Sequence, residues 1–193
     1  MNRRRLILSA AGAGLAVSGF AGTTRGLAAL TATDDELAYA NFGQATEFLL
    51  KDYYAKLAAA KLVTGANARS VARGAFNASE HAAALGKLLT DAGQTAAVEE
   101  DFEFVWPEGT FTRIHAAATA GLTVTQALLG TYISAAGAIS IPSYRTLYAS
   151  MAANVAQQVG AISALSGGRT VGVSFPLAVD VETASDTIEA YLG

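Results

Sequence analysis

The sequence predicts an all-α protein, a bundle of four long helices followed by a short one, and three observations predict it. Apolar residues recur with a period near 3.6 rather than 2 through most of residues 34–165. Helix breakers fall between these runs, at Gly65, Gly93 and the three prolines Pro107, Pro142 and Pro176. Just over half of the 193 residues are apolar and only 15% are charged, so a sizeable core can form and wholesale disorder is excluded. Helices of that length, apolar on broad faces, bury those faces against one another.

The first thirty residues read as an address. Arg3, Arg4 and Arg5 stand directly ahead of an uncharged stretch, residues 6–24, that is rich in Ala, Gly and Ser and only mildly apolar. This is the pattern of a twin-arginine export signal, and Arg25 sits before the candidate cleavage sites as in such signals. Cleavage after Ala28 or after Ser18 suits small-residue rules; an uncleaved membrane anchor and a cytoplasmic chain with a basic start are the alternatives. The division is residues 1–28 as signal and 29–193 as one domain.

The helices follow in order. Thr33 and Glu36 have capping-box spacing ahead of a first helix over residues 34–62. A second covers 67–91 and ends at Gly93, the usual place for a terminating glycine. Residues 96–109 hold the only Trp and alternate briefly from Asp101 to Trp106; a lone strand there lacks a partner, so the stretch is expected as an ordered crossover with its aromatics on the bundle. A third helix covers 111–138 and a fourth starts at Pro142 and reaches 165. Ser166-Gly167-Gly168 is expected as a flexible joint, 171–181 as extended chain, and 183–192 as a short last helix.

Several segments carry a resemblance. Residues Thr46 to Tyr54, with Glu47, Leu49 and the Tyr53-Tyr54 pair, are similar to the first-helix signature of the exported, desiccation-related branch of the ferritin-like superfamily. Asn77-Ala78-Ser79-Glu80-His81 with Leu85 resembles its second-helix segment, and Leu128 to Tyr132 its third. Phe175-Pro176-Leu177 through Tyr191 resembles its C-terminal loop and helix. The resemblance implies a ferritin-like four-helix bundle with a long crossover loop and a short C-terminal helix. Such bundles hold two metal ions with four carboxylates and two histidines, one Glu from each of two helices and a Glu-x-x-His pair from each of the others.

Carried over one at a time, the ligand positions are largely lost. Glu47 stands for the first-helix Glu and His81 for the second-helix His, but the residue three before His81 is Ala78. Glu80 is about 100° round the helix from His81. Gln126 stands for the third-helix Glu, and Asn154 with Gln157 for the last Glu-x-x-His pair. Amide oxygens are poor ligands for divalent transition ions, and one Glu cannot neutralise two cations about 4 Å apart. The expectation is a former metal site turned into a buried polar network of Glu47, His81, Gln126, Asn154 and Gln157. The alternatives are a reduced iron or manganese site on Glu47, Glu80 and His81, a ligand in the vacated centre, or a surface Glu47 paired with Lys51 and a half-exposed His81. His115 has no partner in sequence.

The rest narrows the function classes. The chain has no cysteine, so thiolate chemistry and disulfides are excluded. Net charge is −3 without a basic stripe, which argues against nucleic acid. No Gly-x-Ser-x-Gly elbow or phosphate loop occurs. The reading is an exported periplasmic, cell-envelope or extracellular module that is non-enzymatic and stress-related. A metal-dependent oxidase is the alternative. Expected partners are the twin-arginine machinery and at most a second copy, with no integral membrane bundle.

Overall fold

A computed structural model describes residues 32–170 and 172–193. The expected leader, with its arginines, uncharged stretch and candidate cleavage sites, lies outside the described residues. Among the described residues the chain is all-helical. Four long helices, α1 (Asp34–Ala59), α2 (Gly65–Asp91), α3 (Ile114–Ala138) and α4 (Pro142–Leu165), are followed by the short α5 (Val181–Ile188). Single 3-10 turns stand at Glu99–Asp101, Thr110–Thr112 and Glu189–Tyr191. The long helices have 24 to 27 residues, or about 36–41 Å each at 1.5 Å per residue.

Their ends are set by local chemistry. Thr33 and Glu36 form the expected capping box. α1 stops at Ala59 rather than at residue 62, because Lys61 takes a left-handed φ of 56°. At the end of α2, Gly93 (φ 78°) donates to the Thr90 carbonyl and Gln94 to that of Leu89. This is the Schellman pattern, which satisfies the last carbonyls. Gly167 and Gly168 repeat it on Ala164 and Ser163, so the expected flexible joint is a hydrogen-bonded cap on α4. α3 starts at Ile114, later than expected, since Thr110–Thr112 is a 3-10 turn and Arg113 is extended. Pro142 opens α4, where its missing N–H costs nothing. Asp180 caps α5 by accepting from the Thr183 N–H at 2.8 Å.

The closest packing is α1 on α2 and α3 on α4; α1 also packs on α3, and α2 meets α4. α5 lies across α3 and α1. Buried residues of α1 point in nearly every direction, from Leu37, Phe42 and Leu49 to Tyr53, Tyr54 and Leu57. A helix covered all round is a central one. Each large side chain buried this way contributes about 1.5–3 kcal/mol relative to exposure. Tyr53 and Tyr54 seat in notches on opposite neighbours. A Cβ on Gly121 of α3 would lie 2.4 Å from the Tyr53 ring, and one on Gly74 of α2 would lie 2.5 Å from that of Tyr54.

The crossover finds the partner that its alternation lacked in sequence. Phe104 bridges antiparallel to Leu192, the Val105 N–H donates to the Tyr191 carbonyl, and the Gly193 N–H donates to that of Glu103. Trp106 packs on Tyr53, Phe111 and Tyr191, and its Nε1–H donates to Asp52 at 2.7 Å. The crossover aromatics therefore pack onto α1 and the C-terminus together. Among the described residues no helix is long and apolar enough to cross a membrane.

Candidate functional site

The centre of the packed helices carries an ionisable group. Glu47, midway along α1, is 0% exposed. The Tyr132 hydroxyl on α3 donates to its Oε1 at 2.8 Å, and His81 Nδ1 on α2 stands 2.8 Å from the same oxygen. One carboxylate oxygen thus joins three helices. The other, Oε2, is buried with no protein partner. Burial pushes the Glu47 carboxyl above its ordinary value, against the opposing pull of His81 and Tyr132. Burial, and then the Glu47 charge, push the Tyr132 phenol well above its own, so it keeps its proton and donates. The His81 side chain is 15% exposed and forms the wet edge of the cluster.

A second set of hydrogen bonds crosses to α4. The Tyr54 hydroxyl donates to Gln158 Oε1 at 2.8 Å, and Gln158 Nε2 donates to Asn154 Oδ1 at 2.8 Å. The Asn77 amide on α2 donates to that same Asn154 oxygen at 3.1 Å. Burial first, then the charges of Tyr53 and Glu47, raise the Tyr54 phenol well above its ordinary value. It too is a fixed donor. Tyr53 points the other way and donates to the Ala117 carbonyl at 3.0 Å.

The expected network is thus divided. Glu47 and His81 meet directly, and Asn154 is part of the amide ladder. Gln126 and Gln157 are exposed and belong to neither set. Their helical register explains this. Buried Tyr148, Met151, Val155, Gln158 and Ile162 step by three and four along α4, so the inward amide is Gln158 and Gln157 faces out. On α3 the buried steps run through Gly121, Val124, Leu128 and Tyr132, which turns Gln126 outward. Tyr54, Asn77, Tyr132 and Gln158 are the members that ligand carry-over missed, and this step pattern was the signal for Tyr132 and Gln158. Surface pairing of Glu47 with Lys51 does not occur; Lys51 pairs with Glu99 instead. His115 is exposed.

The residues present do not fit a pair of divalent cations. Glu47 is the one buried carboxylate of the cluster, Glu80 is exposed, and Ala78, three residues before His81, is fully buried and offers no donor. Among the described residues no three His, Cys, Asp or Glu side chains gather as a metal-holding group. Against known proteins, the sequence matches no family model and no curated protein. The ferritin-like resemblance accordingly rests on the segments quoted for it.

Proposed function

We propose that this chain is an exported, ferritin-like helical bundle in which a hydrogen-bonded polar lock stands where relatives hold two metals. On this reading it serves as a non-enzymatic binding, structural or stress-related module of the cell envelope, as a monomer or dimer. Neighbour order supports the fold: α1 lies beside α2 and α3, α4 lies beside the same two, and the long crossover joins α2 to α3. The observation that carries the functional reading is Glu47 Oε1, committed to His81 and Tyr132 in a site with no second buried carboxylate. Buried polar groups need partners, and a lock that recruits three helices defines one packing register. Thermal unfolding with and without a strong chelator tests it. An unchanged midpoint with chelator, and a drop in Glu47→Ala, are expected. A midpoint that falls with chelator and recovers with iron or manganese would overturn the lock.

One observation favours a second reading, a metal-binding protein or metal-dependent oxidase on Glu47, Glu80 and His81. Glu47 Oε2 is a buried acceptor without a partner, which a cation would satisfy. That reading requires Glu80 to leave its exposed position. Metal uptake that survives Glu80→Gln would remove it as drawn.

A further inference from the structure

A second carboxylate joins distant parts of the chain, away from the central cluster. Glu36 Oε2 accepts from the Thr33 N–H at 2.8 Å and closes the cap of α1. Its Oε1 accepts from the Ser140 N–H, in the link between α3 and α4. Both acceptor oxygens of one buried side chain are therefore in use, one locally and one across 104 positions of sequence. Beside it lies an open cleft of about 590 Å³, lined by Thr33, Asp35, Glu36, Tyr39, Ser140 and Val181 among others.

We propose that Glu36 is an acid-sensitive latch: ionised, it ties the start of α1 to the α3–α4 corner, and protonation frees the corner and widens the cleft. The chemistry is that of a carboxylate with two donors aimed at it. An ionised carboxylate only accepts; adding a proton turns one oxygen into a donor facing an N–H. The protonated oxygen is a poorer acceptor and both bonds lose the help of the negative charge, so cap and tie no longer both hold at full strength. The Ser140 N–H, with help from Thr33, holds the Glu36 carboxyl below its ordinary value. A depressed carboxyl contributes stability above its unfolded value and loses it as pH falls through the folded one, so the latch opens on the acid side. Among the described residues the other ionisable groups of this corner are Asp34 and Asp35 on α1, Tyr39 in the cleft wall, Tyr144 in the first turn of α4, and Asp180 and Glu182 at the start of α5. The link itself, Ile139 to Ile141, is uncharged, and the first charge on α4 is Arg145.

An NMR acid titration of the full chain tests the proposal. The Thr33 and Ser140 amide protons are expected to shift together, with one midpoint below the ordinary glutamate range, while amides in the middle of α2 stay fixed. Glu36→Gln abolishes that shift, and Asp35→Asn leaves it in place. Separate midpoints for the two amides, or no shift before unfolding, would overturn the latch. So would simultaneous movement of the whole spectrum, or loss of the shift in Asp35→Asn. If Glu36→Gln does not fold, the wild-type titration alone decides.

Discussion

Glu47 carries three helices on one oxygen, so removing any donor is felt. Tyr132→Phe keeps the ring and deletes a hydrogen bond to a buried carboxyl group, a loss of about 1.5–3 kcal/mol in urea unfolding. Adjacent amides on α4 should separate sharply. Gln158→Ala strands the Tyr54 hydroxyl and costs about 1–3 kcal/mol. Gln157→Ala, on the exposed face, stays within about 0.5 kcal/mol. The pH dependence has a definite sign. Glu47 binds its proton more tightly folded than unfolded, so its contribution is greatest in acid and is lost as pH rises through its raised value. Relative to Glu47→Gln, the wild type should therefore lose stability as pH climbs above the ordinary carboxyl range. Paired urea titrations across pH read this directly, and parallel curves would contradict it. Sequence showed Glu47 and His81 as a candidate pair because both matched a ligand pattern. Tyr132 was missed because the ligand pattern compared has no tyrosine in it; its inward place in the step pattern of α3 and its role as a donor were the signal.

At the level of elements, close helix approach depends on glycine notches. Gly121→Ala would press a methyl group into the Tyr53 ring and should destabilise by about 1–3 kcal/mol. Gly137, in the same helix, has open space where a Cβ would go; Gly137→Ala should gain about 0.5–1 kcal/mol. Comparing the two melting curves separates packing from helix propensity. Helix existence and order were legible because the period and the caps agree: Thr33 with Glu36, Gly93, and Pro142 act within one turn of the boundary they set. Boundaries that depend on distant or unusual geometry were not legible. Lys61 in a left-handed conformation and the 3-10 turn at Thr110 carry no strong residue signal. The bridge from Phe104 to Leu192 spans nearly half of the chain, so local alternation showed one side of it and could not show the other.

At the scale of the whole molecule, the proposal of an export address ahead of the bundle has its own test. If the leader is a twin-arginine signal, replacing Arg4 and Arg5 by Lys should leave the chain in the cytoplasm, read by fractionation; unchanged export would remove that assignment. The site was half legible because ligand-by-ligand comparison asks where metal donors were lost, and not which neighbours replaced them. Gln157 was chosen by motif spacing, whereas packing selects Gln158 one residue on. The central claim is that hydrogen bonds, without metal, hold the centre together. Elemental analysis of the mature protein, purified natively without chelator and then offered iron and manganese, tests it most directly. The account predicts metal far below one ion per chain in both preparations. Near-stoichiometric iron or manganese, lost in Glu47→Ala, would contradict it.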